Sequence, residues 1–361
     1  MVGAVVLAAL VAIAAAVVLL VNGGPSSRRF RAPAGVDEVV TRITRSVPPS
    51  LRSAHVPGAA VAVAHDGRVA WVRGFASAGR GIAVTPDTEF QVGSLSKPVT
   101  AWGVVASGAP ALDARLVDRL HPWPLPPSRH DARGITVRRL LSHTAGLSVD
   151  GYEGLGPGAR LPSTADSLAG RGPAGGATAV RLIDRPGARW RYSGGGYTLL
   201  QGAIEQASGQ PFARWARRAV LRPLGMNASA FGWPPSGGGP IAVGHDAEGR
   251  PVPGYRYAEL AAAGLASSAR DMGRFAAALL RGGPTARTLG TPQPATEGRW
   301  GLGLETSRLR DGTRVISHEG VNRGWHARLV AYPDRGWAFV ALTNGDGGAA
   351  VADAVQRQFE R

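Results

Sequence analysis

The apolar and polar positions divide the chain into a long apolar start and a body of mixed periodicity. Val2 to Val21 are twenty consecutive uncharged, almost wholly aliphatic residues, about 30 Å as a helix and so enough to cross a bilayer. The run exceeds the apolar core of an ordinary signal peptide and no clean A-x-A site follows it, which predicts an uncleaved anchor over residues 1–24. Gly23-Gly24-Pro25-Ser26-Ser27 leads into a linker over residues 25–35, and the body is residues 36–361. Val36, Val39, Val40, Ile43 and Val47 have helical spacing. Ala60-Val61-Ala62-Val63 and Val69-Ala70-Trp71-Val72 read as strands around His65-Asp66-Gly67-Arg68, where Asp-Gly is a strong hairpin signal. The far end mirrors this: Ala327 to Tyr332 and Trp337 to Leu342 flank a Pro333-Asp334-Arg335-Gly336 turn, and a helical stretch runs from Ala349 to Phe359.

These elements predict an α+β fold with one sheet built from both ends of the body and flanked by the terminal helices. Between the hairpins, Tyr197 to Gln206, Pro211 to Leu221 and Asp271 to Leu280 have helical spacing. They predict a helical lobe, about residues 96–299, inserted into an α/β lobe of about 36–95 and 300–361. Ser268 with Asp271 reads as a capping box. The loop-rich stretch from Gly154 to Gly176 is expected to border a cleft or to be partly disordered.

Composition narrows the chemistry. With no cysteine there is no disulfide, no thiol nucleophile and no sulfur-ligated zinc. The 51 glycines and 27 prolines promise loops, and the absence of a G-X-Y period excludes collagen. A net charge of +16 fits nucleic acid, anionic lipid or an anionic polymer such as a cell wall, and fits better a solvated surface biased toward arginine. Yet the arginines are scattered from Arg28 to Arg361 without a basic helix, an aromatic-basic strand or a zinc finger, which argues against nucleic acid. Lys97 is the only lysine among 41 basic residues. Arginine replaces lysine in surface roles but stays protonated, so a sole surviving lysine points to work that needs a neutral amine.

Ser94-Leu95-Ser96-Lys97 supplies that context. A spacing of three puts hydroxyl and amine on one face of a helix, and Pro98 is tolerated only near a helix start, so Ser94 should sit where the helix dipole favours developing negative charge. This suits an activated nucleophile. Rival patterns fail: no G-x-S-x-G surrounds a serine, no G-x-x-x-x-G-K-[ST] exists, and His318-Glu319 is followed by Asn322 where H-E-x-x-H needs histidine. No metal or cofactor is implied. His143, between Ser142 and Thr144, reads as a structural residue in a turn, with a Ser-His pair as the alternative. Trp325 lines an acyl pocket or packs in the core.

Four further runs join the serine motif. Phe90-Gln91-Val92-Gly93-Ser94-Leu95-Ser96-Lys97, then Leu140-Leu141-Ser142-His143-Thr144-Ala145-Gly146-Leu147, Tyr192-Ser193-Gly194, Pro223-Leu224-Gly225-Met226 and His318-Glu319-Gly320 follow in order. From about Val36 to the C-terminus the chain resembles the serine β-lactamase-related family, which groups class C β-lactamases, D-alanyl-D-alanine carboxypeptidases and certain esterases. The resemblance implies a penicillin-recognising serine hydrolase fold in which Ser94 attacks an acyl carbon and Lys97 and Tyr192 move the protons. It places the oxyanion on the amides of Ser94 and Val321, the residue after His318-Glu319-Gly320. One of Lys97 and Tyr192 must then have a depressed pKa to accept a proton.

Two departures bear on the substrate. Gly194 stands where the family's Y-x-N motif has asparagine, and His318 stands where β-lactamases have the K-T-G lysine that meets the substrate carboxylate. Both weaken a β-lactamase reading and favour a small ester or amide, such as a cell-wall D-amino-acid derivative. A D,D-carboxypeptidase or penicillin-binding protein, and a non-catalytic receptor that senses cell-wall fragments, are the alternatives. The resemblance expects a membrane-held catalytic body outside the cytoplasm. Arg28, Arg29 and Arg31 after the apolar run point the other way under the positive-inside rule.

Overall fold

The computed structural model describes residues 27–172, 178–235 and 238–361. The apolar run from Val2 to Val21 lies outside them, and among the described residues no helix is long and apolar enough to cross a membrane. The described residues form ten strands: β1 Gly58–His65, β2 Arg68–Gly79, β3 Ile82–Ala83, β4 Glu89–Gln91, β5 Ala230–Phe231, β6 Leu265–Ser268, β7 Glu305–Arg308, β8 Arg314–Asn322, β9 Trp325–Tyr332 and β10 Trp337–Thr343. The principal helices are α1 Val36–Ser53, α2 Ser96–Ser107, α3 Val137–Leu141, α4 Gly194–Ser208, α5 Leu260–Ala263, α6 Ala269–Leu280 and α7 Gly348–Gln356.

Seven strands form an antiparallel sheet in the order β3-β2-β1-β10-β9-β8-β7, and the pairing of β1 with β10 joins the N-terminal and C-terminal hairpins. The Asp66-Gly67 turn has positive φ at both residues, 47° and 74°, the conformation that lets a two-residue turn follow the strand twist. Strand β1 is buried on both faces, and its residues divide by parity. Val61 and Val63 meet Val39, Ile43, Val47, Val351 and Phe359 around α1 and α7. Ala60, Ala62 and Ala64 face the larger core. Alanine is required there because α6 lies close: a Cβ on Gly273 would come within 3.0 Å of the Ala62 Cβ.

This close packing moves Asp271 to Leu280, expected within the inserted lobe, onto the sheet as its second covering layer. Ser268 caps the helix as expected, accepting from the Asp271 amide at 3.2 Å. The reciprocal arm of a capping box is absent, because the Asp271 carboxylate accepts instead from the Ala228 amide and Ser229 hydroxyl. Residues expected as linker also join the body: Arg29 and Arg31 pair with Arg361 and Phe359, and Phe30 is buried against Tyr332. Pro211 to Leu221, expected as one helix, is Phe212–Ala216 continued by a wider π-type turn over Arg217–Leu221.

Strand β8 was not expected, since glycine and charged residues break its apolar pattern. A charged layer under it holds it in place. Glu319 pairs with Arg328 across from β9, and Arg328 reaches Asp353 and Gln356 on α7. Burial and the neighbouring Glu319 raise the Glu305 carboxyl to about 7, while Arg328 and His326 hold Glu319 at about 2 against its burial. Of the two acids, Glu319 is therefore ionised at neutral pH, and Glu305 keeps its proton only below about pH 7. A raised carboxyl pKa makes folding less favourable as pH rises from the unfolded value near 4.5 through about 7. Glu305→Gln, neutral at every pH, should gain thermal stability over the wild type by a few degrees at pH 8 and by almost nothing at pH 5, measured by differential scanning calorimetry. An equal difference at both pH values would show that Glu305 ionises normally.

Candidate active site

Strand β4 delivers the chain to Gly93, whose φ is 52°, and the short turn Gly93–Leu95 winds directly into α2. Ser94 is partly exposed at this start of the helix. Pro98 is the third residue of α2, where the missing N–H costs no helical bond. Ser96 fastens the turn: its hydroxyl donates to the Gly93 carbonyl at 2.6 Å and accepts from the Leu265 amide at 2.9 Å.

One turn on, Lys97 is 1% exposed. Its Nζ lies 2.9 Å from Ser94 Oγ and 2.9 Å from the Ala262 carbonyl of α5. The rings of Tyr192 and Tyr197 lie 4.9 and 5.8 Å from it. Among the described residues no carboxylate pairs with it. Desolvation without a counter-charge lowers the Lys97 pKa to about 7. A neutral amine here donates to Ala262 and has a lone pair for the Ser94 proton.

Strand β8 runs beside this turn. Strand β7 covers β8 only as far as Ser317, and the Gly93-Ser94-Leu95 turn occupies the edge beyond it. The approach is so close that a Cβ on Gly320 would fall 1.9 Å from the Val92 carbonyl and 3.0 Å from the Ser94 amide nitrogen. A Cβ on Gly93 would fall 2.6 Å from the Val321 nitrogen. Glycine at both positions is thus a packing demand, and it brings the amides of Ser94 and Val321 to the same small region. That is the pair expected to hold an oxyanion.

Tyr192 precedes Ser193, the cap of α4, and lies within hydrogen-bonding reach of Ser94. Burial holds its phenol well above the ordinary tyrosine range. Of the two residues expected to move protons, Lys97 is therefore the one able to accept and Tyr192 the one that keeps its proton. His143, expected as a structural turn residue, proves to hold this tyrosine. Its ring stacks on Tyr192 with centroids 4.3 Å apart. Its carbonyl accepts from the Arg191 amide at 2.8 Å and its Nδ1 accepts from the Ser193 amide at 3.1 Å. Burial and the neighbouring Lys97 keep His143 neutral. Trp300, which no sequence motif singled out, lies 5.1 Å from His143, 6.0 Å from Tyr192 and 5.6 Å from His318, centroid to centroid. Trp325 is 1% exposed and packs on Phe90 and Trp233, so it belongs to the core.

Gly194 has its own steric reason. A Cβ there would lie 2.9 Å from the Asp150 carbonyl and 3.3 Å from the Tyr152 ring. The three-glycine start of α4 docks on this loop through hydrogen bonds from the Gly194 and Gly195 amides to the Asp150 and Val149 carbonyls. The loop therefore takes the space that an asparagine side chain would need. Beyond it, Leu155 pairs with Arg256. His318 is 4% exposed on the face of β8 that carries Ile316 and Gly320. Burial first, then Lys97, lower its pKa to about 3.

The stacking and the backbone bonds at His143 can be separated. His143→Phe keeps a flat ring over Tyr192 and loses the acceptor for Ser193. His143→Asn keeps an acceptor and tolerates the left-handed backbone, φ 58°. Both should lower kcat on an activated ester by about 10-fold or more with KM nearly unchanged, with Asn the more active, when rates are normalised to reactive Ser94. Loss confined to the amount of folded protein, with normal kcat per site, would return His143 to a purely structural role.

A family model described as Beta-lactamase matches residues 36–360. The chain is 34% identical over 188 residues to penicillin-binding protein 4 of Amycolatopsis lactamdurans, covering 48% of this chain and 45% of that protein. It is 31% identical over 192 residues to esterase EstB of Burkholderia gladioli, covering 50% and 49%. It is 28% identical over 317 residues to a D-aminopeptidase of Brucella anthropi, covering 81% and 57%. The chain thus spans about half the length of these relatives. Among solved structures, the octameric penicillin-binding protein homologue from Pyrococcus abyssi superposes with a TM-score of 0.71 at 24% identity, covering 88% of this chain and 77% of that one, a likeness of fold. With the fold, the ordered motifs and the matched span in agreement, the chain belongs to the Beta-lactamase family, a family of serine hydrolases.

Proposed function

We propose that this protein is a serine hydrolase that cleaves a small ester or amide, such as a cell-wall D-amino-acid derivative, through an acyl-enzyme on Ser94. The observation that carries the reading is Lys97: buried, without a carboxylate, and 2.9 Å from the Ser94 hydroxyl. As a neutral amine it takes the Ser94 proton while Oγ attacks the acyl carbon, and the amides of Ser94 and Val321 stabilise the oxyanion. Tyr192 gives its proton to the leaving group and is reprotonated through Lys97. A water activated by the same pair then releases the acyl group. The relatives named for esterase and D-aminopeptidase activity support an ester or amide as substrate. The closed space at Gly194 and the neutral His318 count against a β-lactamase or a D,D-carboxypeptidase that needs a cation for the substrate carboxylate. The apolar run from Val2 to Val21 is long enough for a membrane anchor, and a catalytic body outside the cytoplasm is what a cell-wall substrate would require, against the orientation that Arg28, Arg29 and Arg31 favour.

The test is a pH–rate profile with a chromogenic ester, together with intact-mass trapping of the acyl group. The base must be deprotonated, so kcat/KM should rise with pH through about 7 and then stay level to at least about pH 9, because Tyr192 keeps its proton. Ser94→Ala should abolish both turnover and adduct. Lys97→Arg should be as inactive as Lys97→Ala, at least about 1,000-fold down, because guanidinium does not release its proton. An active arginine variant, or an adduct that forms without Ser94, would overturn the mechanism.

A further inference from the structure

His318 carries a buried ring nitrogen with nothing to bind it. Its Nδ1 lies 2.5 Å from the carbonyl oxygen of Glu319. A carbonyl only accepts, so Nδ1 holds the ring proton and points it back at the strand. The other nitrogen, Nε2, is buried without a hydrogen-bond partner. In the neutral ring, which burial and Lys97 enforce, Nε2 has no proton and presents a lone pair. An unsatisfied buried acceptor is costly, and a site built around one favours a ligand that donates to it.

The position of the ring says which part of the ligand that is. His318 lies two residues before Gly320 on the face of β8 that meets Ser94. Its ring centroid is 6.3 Å from that of Tyr192, the group that protonates the leaving group in the reaction proposed above. The flank between Tyr192 and His318 is therefore the leaving-group side of the scissile bond.

We infer that His318 reads the leaving group of the substrate and selects one that offers a hydrogen-bond donor, a carboxamide, a peptide N–H or a hydroxyl, over one that ends in a free carboxylate. A carboxylate has no proton to give Nε2, and it would be forced against a lone pair in a site whose sole lysine loses its charge as pH rises through about 7. The residue thus sets the substrate class as neutral amides and esters. This inference rests on the serine-hydrolase reading.

Two esters with one acyl group test it: phenylacetyl glycolamide and phenylacetyl glycolate, whose leaving groups differ only in carboxamide against carboxylate. With the full chain at pH 7.5, kcat/KM should favour the glycolamide by about 10-fold or more. His318→Lys should shift that ratio toward the glycolate by at least about 10-fold. A wild-type preference for the glycolate, or equal rates, overturns the inference, and so does a folded lysine variant with an unmoved ratio. Should the lysine variant not fold, the wild-type ratio alone decides. The 4-nitrophenyl ester of the same acid separates the two levels of the argument. If wild type cleaves it and Ser94→Ala does not, an absent glycolamide preference sinks only the role of His318. If wild type does not cleave it, the hydrolase reading falls and this inference falls with it.

Discussion

The burial of one lysine without a counter-charge is the constraint on which the site depends. An ammonium ion removed from water is expensive unless a carboxylate meets it. At Lys97 the surroundings are two tyrosine rings, one backbone carbonyl and the Ser94 hydroxyl. The fold resolves the cost by favouring the neutral amine, which is the form that chemistry at Ser94 needs. Each neighbouring element acts on the same balance. Helix α5 supplies the Ala262 carbonyl that orients the amine, and the close approach of β8 closes the site on one side. His143 and Trp300 pack on Tyr192 at the other.

The burial that neutralises Lys97 has a second consequence, because it makes the surrounding groups neutral as well. His143 and His318 lose basicity to burial first and then to the charge Lys97 carries while protonated, and Tyr192 holds its proton. The interior thus offers dipoles and lone pairs but no fixed cation. Family members that grip a carboxylate have a lysine where this chain has His318 and an asparagine where it has Gly194. Here both positions are accounted for by local structure, one by an imidazole turned onto its own strand and the other by the Asp150–Tyr152 loop.

Much of this was legible in the residues. The Asp66-Gly67 hairpin, the mirrored C-terminal hairpin and the terminal helices follow from periodicity and turn chemistry alone. Ser94, Lys97, Tyr192 and His318, scattered along more than two hundred positions, are brought together as the ordered motifs implied. What escaped is what depends on contacts between distant segments. Strand β8 was hidden because Glu319 and Gly320 interrupt its apolar alternation, although one answers Arg328 and the other must admit the Ser94 turn. Asp271 to Leu280 has the spacing of any amphipathic helix, and only Gly273 against Ala62 places it on the sheet. Trp300 has no motif, and Ala262 acts through its backbone, which no side-chain pattern reports. His143 was legible as a turn residue, but its hold on Tyr192 needed the fold.

Because Lys97 is the only lysine in the chain, its ionisation can be read without assignment. Protein labelled with 13C only at lysine Cε should give one side-chain resonance, to be followed from pH 5 to pH 11 by NMR. The account requires a titration midpoint near 7. A midpoint near the ordinary lysine value of about 10.4 would mean that the amine is charged when Ser94 must react, and the central claim would fail.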